Sequence, residues 1–239
     1  MKHVWIPLPD TDFDVTEVAV PWKVLTRAGH RVTFVTETGT VTPAADPLLL
    51  TGVLFGQLGA EPEPKRFYEE LTRAPEFQRP RSWKTLDVGE FDALLLPGGH
   101  APGMKQYLGS TELQAKVRDF FALDRPVGAI CHGVLVAARA GVLRGHKTTC
   151  LPFYMERTAY WLTAWKLGTY YRTYPAYVEE EVRAALATPD DFVRGPIHLM
   201  RRGTDTDDAP AFVVEDGHYV SARWPGDAYK FARALLSRL

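Results

Sequence analysis

The chain has 239 residues, 46% of them hydrophobic, and sets 28 Lys+Arg against 29 Asp+Glu for a formal net charge of -1. That balance argues against nucleic acid as the main partner, because a phosphate backbone demands a basic excess and Arg194 with Arg201-Arg202 is too small a cluster. No run of about 18 apolar residues calls for a membrane, Met1 to Pro7 lacks the apolar core of a signal peptide, and two cysteines do not make a disulfide scaffold, so the expected compartment is the cytoplasm.

Short apolar runs alternate with helical patterns, which predicts an α/β chain built on a mostly parallel sheet. Val4 to Leu8 reads as the first strand. Glu17 to Ala28 reads as a helix stopped by Gly29, and Arg31 to Thr36 as a β-branched strand. Phe91 to Leu96 is a buried strand running into Pro97-Gly98-Gly99, and Thr111 to Leu123 a helix. Val127 to Ile130 is a further buried strand, and Val134 to Ala140 a helix. Lys147 to Leu151 reads as another strand. Ala211 to Val214 and Tyr219 to Ala222 flank Asp216-Gly217 as a hairpin, and Asp227 to Leu239 closes the chain as a helix.

Two stretches break this rhythm. Asp46 to Gly89 holds Pro47, Pro62, Pro64, Pro75 and Pro80 between short helical pieces such as Lys65 to Thr72. Phe153 to Glu181 is aromatic, with Phe153, Tyr154, Tyr160, Trp161, Trp165, Tyr170, Tyr171, Tyr174 and Tyr177. Both read as insertions (46–89 and 153–181) decorating a single domain over 1–239. Insertions outside the carboxyl ends of parallel strands would roof a pocket.

Three segments carry candidate chemistry. Val127-Gly128-Ala129-Ile130-Cys131-His132-Gly133-Val134 takes an apolar strand into a helix through a cysteine, the pattern of a nucleophile elbow. A thiol at a helix N-terminus is favoured as thiolate. A lone cysteine is more often a small buried hydrophobe, and Cys150 is read that way, but the glycines and His132 around Cys131 favour the nucleophile. Leu94-Leu95-Leu96-Pro97-Gly98-Gly99-His100 ends a strand in glycines, either a tight turn or a backbone able to approach a developing oxyanion. Asp14-x-x-Glu17 fits a capping box, and Glu17 could equally face Cys131 as a protonated carboxyl that hydrogen-bonds the sulfur.

Together these segments resemble the ThiJ/PfpI superfamily, which shares the fold of class I glutamine amidotransferases. The resemblance rests on Ile6-Pro7-Leu8-Pro9 with Asp14 to Pro21, on Leu95 to His100, and on Ala129-Ile130-Cys131-His132-Gly133. The long 46–89 stretch, with Gly52-Val53-Leu54-Phe55-Gly56 and Trp83, is similar to the heat-shock chaperone–glyoxalase branch. The resemblance implies a flavodoxin-like, doubly wound sheet with helices on both faces and two insertions near the active-site edge. It implies Cys131 as nucleophile, His132 as base, Glu17 as the carboxyl on the sulfur, and the Gly99 and His132 N–H groups as oxyanion hole. Gly98, His100 and Trp83 would bind substrate. An acid after the next strand would orient the histidine, and Glu156, 25 residues after Cys131, is the best match; the alternative for it is a solvated helix carboxylate.

The implied function is a cofactor-independent cysteine enzyme on small carbonyl compounds, a glyoxalase III-type lyase or deglycase. Amide or peptide hydrolysis by the same groups is the enzymatic alternative. A stress-response chaperone or redox sensor is the non-enzymatic one. No metal is expected, since His3, His30, His146, His198 and His218 are scattered without ligand spacing. Expected partners are a small aldehyde or amide substrate and a second copy of the chain, as a homodimer or higher homo-oligomer, with no nucleic acid and no membrane.

Overall fold

The computed structural model describes residues 1–54, 56–172, 174–197 and 201–239. Phe55 and His198 lie outside the described residues. The strands are β1 (His3–Pro7), β2 (Thr11–Phe13), β3 (Arg31–Thr36), β4 (Ala44–Ala45), β5 (Arg81–Ser82), β6 (Ala93–Leu96), β7 (Val127–Ile130), β8 (Val213–Asp216) and β9 (Tyr219–Ala222). The helices are α1 (Val15–Arg27), α2 (Pro47–Thr51), α3 (Pro62–Leu71), α4 (Pro75–Gln78), α5 (Met104–Leu108), α6 (Thr111–Phe121), α7 (Gly133–Arg139), α8 (Phe153–Leu167), α9 (Val178–Ala185) and α10 (Ala228–Leu236).

Seven strands form one sheet in the order β5-β3-β1-β6-β7-β9-β8, parallel throughout except for the β8–β9 hairpin. β2 and β4 make a separate two-stranded parallel pair. Every residue of β1, β6, β7 and β9 is buried, so both faces of the central sheet are covered, as parallel sheets require. One helical group sets α1 against α3 and α10; another sets α7 against α6 and α9. This is the flavodoxin-like, doubly wound class that the sequence predicts.

The chain leaves β1 toward β3 and β5 on one side and resumes at β6, β7 and β9 on the other. The order therefore reverses between β1 and β6, the place where open α/β sheets form a crevice beyond their carboxyl ends. Register brings the carboxyl ends of β6 and β7 side by side, with Leu96 opposite Ala129.

The stretch 147–151 is not a strand. Thr148 makes one isolated parallel bridge to Phe192. Both edges of β9 are already taken, by β7 and β8, so no ladder is open to this segment. Side chains hold it instead: Thr149 N–H donates to Ser221 Oγ at 3.0 Å, and Thr148 Oγ1 lies 3.1 Å from the Tyr219 hydroxyl.

The prolines of 46–89 have a local purpose. Pro47, Pro62 and Pro75 stand in the first turns of α2, α3 and α4, where a missing N–H costs nothing. The same stretch ends in β5, which extends the main sheet beside β3. The aromatic stretch forms α8 and enters α9. Tyr170 and Tyr171 donate their hydroxyls to Asp46 at 3.2 and 2.9 Å, tying it to the first insertion.

Candidate active site

Cys131 lies at the β7–α7 junction with φ +58°, a left-handed conformation rarely held by a residue with a side chain. Its N–H still donates to Ala222 O at 3.0 Å, continuing the sheet ladder, so the reversal falls on this one residue. The turn depends on glycine at 133. A Cβ there would lie 2.1 Å from the Leu96 carbonyl oxygen. The strain sits where a nucleophile elbow needs it, at a side chain held over a sheet edge.

Glu17 faces this cysteine. Asp14 Oδ1 caps α1, accepting the N–H groups of Thr16 and Glu17 at 2.8 and 3.1 Å. Glu17 does not return the bond, because Asp14 N–H donates to Gly98 O instead. Its own carboxyl accepts Gly98 N–H at 2.8 Å through Oε2 and lies beside the Cys131 sulfur, while Oε1 is buried without a hydrogen-bond partner among the described residues. Asp14-x-x-Glu17 is therefore a cap followed by a site carboxyl rather than a reciprocal box. Gly98 fits because a Cβ would meet His132 N at 2.7 Å, Glu17 Oε2 at 2.8 Å and Cys131 Cβ at 3.0 Å.

Burial dominates the protonation states. It pushes Glu17 well above the usual carboxylate range, and the nearby Asp14 adds to the push. Asp14 itself is raised to about 6 by burial, with Arg202 pulling the other way. Burial also drives the Cys131 thiol up, followed by the charges of Glu17 and Asp14, while the His132 backbone N–H draws it down. A resting thiolate, expected from the helix dipole alone, is thus opposed: α7 has seven residues, and desolvation outweighs its field. A protonated Glu17 removes its repulsion and leaves a hydroxyl able to donate to the sulfur.

His132 Nδ1 lies 3.5 Å from Cys131 Sγ. Burial first, then His100 and Arg139, hold its imidazole well below 6.5, so the ring is neutral and can accept a proton. The His100 ring stands nearly edge-on to it, centroids 4.4 Å apart, and is itself lowered to about 4 by burial. The Gly99 N–H donates to no backbone carbonyl among the described residues, whereas Gly98 N–H is taken by Glu17.

Two expected site residues stand elsewhere. Glu156 does not orient His132: its Oε2 accepts Val178 N–H at 2.9 Å at the start of α9, and its Oε1 lies 3.9 Å from Arg172. Nor is it solvated, being 5% exposed. Among the described residues, no carboxylate hydrogen-bonds His132. Trp83 follows β5, where its N–H donates to Thr36 O at 2.9 Å, and it is fully buried in the main core. It does not line the pocket, because β5 draws it into the sheet edge.

The pocket that opens beside the site has a volume of about 230 Å³. His100 and Asp14 line it. Leu49, Val53 and Leu58 from the first insertion and Met155, Ala159 and Leu162 from α8 give it an apolar wall, as the placing of the insertions predicts. Arg202 and Trp224 also border it, and neither carries a signal in the sequence. Asp46, which secures Tyr171 over this wall, could have been found as the polar residue before Pro47, a cap position.

A model of proteins described as ThiJ/PfpI family-like matches residues 8–196. This chain belongs to that ThiJ/PfpI-like family. An uncharacterised protein of Schizosaccharomyces pombe is 33% identical over 71% of this chain and 66% of its own length, so the match leaves about a third of that protein uncovered. A deglycase of Pyrococcus horikoshii is 25% identical over 97% of this chain and 96% of its own. Among solved structures, glyoxalase III from Candida albicans superposes with a TM-score of 0.68 at 19% identity, covering 100% of this chain and 97% of that one, a likeness of fold. The ThiJ/PfpI-like match spans β6, β7 and the elbow, the segments that build the site.

Proposed function

We propose that this ThiJ/PfpI-like protein is a cofactor-independent cysteine enzyme acting on small carbonyl compounds, as a glyoxalase III-type lyase or a deglycase. The observation that carries the reading is Cys131, held at φ +58° with a buried Glu17 carboxyl beside it and neutral His132 Nδ1 at 3.5 Å. The names of the Pyrococcus deglycase and the Candida glyoxalase III support it.

In the lyase reading the Cys131 sulfur bonds to an aldehyde carbon as its proton passes to His132 Nδ1. The carbonyl oxygen gathers charge between the Gly99 and His132 amides and takes that proton, giving a hemithioacetal. His132 then removes the proton from the same carbon and delivers it to the neighbouring carbonyl carbon, while the hydroxyl proton passes to the neighbouring oxygen through the enediol, leaving a 2-hydroxy thioester. Water cleaves the thioester to a 2-hydroxy acid and restores the thiol. In the deglycase reading the sulfur displaces an amine from the sugar-derived carbon: the C–N bond breaks, the thiol proton goes to the amine, and the same sequence follows. Amide hydrolysis loses support, because without an orienting acid the His132 tautomer is not fixed for a harder leaving group.

The test is turnover of methylglyoxal to lactate without glutathione, expected for the wild type and abolished in Cys131→Ala. A wild type inert toward methylglyoxal and glycated amines would overturn the reading. A second reading, holding of unfolded chains, is favoured by one observation: α8 presents Trp161 and Trp165, 67% and 70% exposed, one turn apart. In that case Cys131→Ala keeps its suppression of client aggregation, and Trp161→Ser with Trp165→Ser loses it.

A further inference from the structure

We propose that His100, Cys131 and His132 form a binding site for a borderline-soft divalent cation, with zinc the best match, which seats itself on the nucleophile and silences it. The proposal uses the sulfur of the reaction proposed above but does not depend on turnover.

The three side chains offer one sulfur and two imidazole nitrogens, all within 4.8 Å of one another. In a zinc tetrahedron with Zn–S of about 2.3 Å and Zn–N of about 2.0 Å, the S···N edge is about 3.5 Å and the N···N edge about 3.3 Å. Cys131 Sγ and His132 Nδ1 already stand at 3.5 Å. His100 closes the remaining distance by a shift of about an ångström, its ring already 4.4 Å from that of His132, centroid to centroid. Thiolate plus imidazoles is a donor set that selects zinc over magnesium or calcium, which want oxygen. The proposed reaction assigns His100 no proton or bond, and yet its ring lies against the base.

His100 also lines the pocket, so a cation entering there meets its ring first, and water from the pocket would take the fourth position beside three protein ligands. Binding replaces the thiol proton, which leaves to solvent, and zinc gives up all but one of its waters for Sγ and the two nitrogens. His132 must then carry its remaining proton on Nε2. Glu17, fixed on Gly98 N–H beside the sulfur, stands as an outer partner to the thiolate. With its sulfur and Nδ1 both engaged, the site can neither attack a carbonyl nor accept a proton, so cation and substrate exclude each other.

The experiment titrates the metal-free, full-length protein with Co²⁺ and then Zn²⁺. The expected result is a one-to-one complex with a thiolate-to-cobalt charge-transfer band and the intense visible bands of tetrahedral cobalt, both displaced by Zn²⁺. Cys131→Ser loses the charge-transfer band, and His100→Ala and His100→Gln each weaken Zn²⁺ by at least about tenfold. No charge-transfer band in the wild type, or folded His100 variants that bind Zn²⁺ as the wild type does, overturns the proposal. Should both His100 variants fail to fold, alkylation of Cys131 by iodoacetamide in the wild type decides: Zn²⁺ is expected to slow it at least about tenfold and a chelator to restore it, and an unchanged rate overturns the site. A protein with the cobalt bands but no methylglyoxal turnover refutes the enzyme reading alone; turnover without the bands refutes the cation site alone.

Discussion

Glu156→Gln separates a structural carboxyl from a catalytic one. The side chain is 5% exposed, with Oε2 on the Val178 N–H and Oε1 toward Arg172. Burial raises it to about 7 from 4.5, against the pull of Val178 and Arg172. The folded chain therefore holds this proton more tightly than the unfolded chain does, and wild-type stability falls as pH rises from about 4.5 to about 7. At full ionisation the loss amounts to roughly 3 kcal/mol. Glutamine keeps an acceptor for Val178 N–H and does not titrate. The variant should exceed the wild type by roughly 3 kcal/mol at about pH 8.5 and lie within about 1 kcal/mol of it at about pH 5. Urea unfolding of both proteins at the two pH values measures this, and steady-state turnover at neutral pH should agree within about twofold, whereas losing a true orienting acid costs about four orders of magnitude in kcat. A variant less stable than the wild type at the higher pH, or one whose kcat collapses, would refute the placement of Glu156 as the cap of α9.

Four further expectations follow from the same geometry. Gly133→Ala sets a Cβ 2.1 Å from the Leu96 backbone oxygen and should cost about 3 kcal/mol or more, or prevent cooperative unfolding altogether. Gly98→Ala, whose Cβ meets Glu17 Oε2 at 2.8 Å and His132 N at 2.7 Å, should retain the fold better in a urea titration yet lose turnover. Tyr171→Phe gives up the 2.9 Å bond to Asp46, which keeps Leu48 N–H and the Tyr170 hydroxyl; unfolding should show a loss of about 1 kcal/mol, and kinetics a KM that rises more than kcat falls. Phenylglyoxal should exceed methylglyoxal by at least about tenfold in kcat/KM, the effect of burying a few more carbons in the apolar pocket of about 230 Å³; equal values would show that the pocket does not take the substrate's arm.

The elbow was legible because its demands are local. A buried strand, a cysteine and a glycine two residues on leave few alternatives for the backbone, and the structure places them at φ +58° with no room for a Cβ at 133. Glu17 was ambiguous because a cap and a site carboxyl share one spacing; only the partner of Asp14 N–H distinguishes them, and that partner, Gly98, lies just past β6, 81 residues on from Glu17. The failures have the same origin. Thr148 and Thr149 have strand propensity, but propensity cannot tell that β9 has both edges filled. Glu156 sits at a plausible distance in sequence, and the start of α9 claims it first. Trp83 follows two residues, Arg81 and Ser82, that join the sheet edge and take it into the core.

The burial of the site constrains how its proton can move. A thiolate–imidazolium pair would need a low thiol pKa and a high imidazole pKa, and the structure moves both the other way: burial lifts Cys131 and lowers His132. The resting pair is therefore neutral, and sulfur becomes nucleophilic only as its proton leaves for Nδ1 during attack. That transfer is favoured when the charge it creates has somewhere to go, the role that the proposed reaction gives to the two amides beside an incoming carbonyl. A neutral Glu17 serves the same end, since an ionised carboxyl on the sulfur would oppose every anionic state along the path. In the proposed reaction the arrangement that keeps the thiol protonated at rest is thus the one that lets substrate itself trigger the proton transfer, and neutral imidazoles beside a sulfur are equally what a soft cation requires.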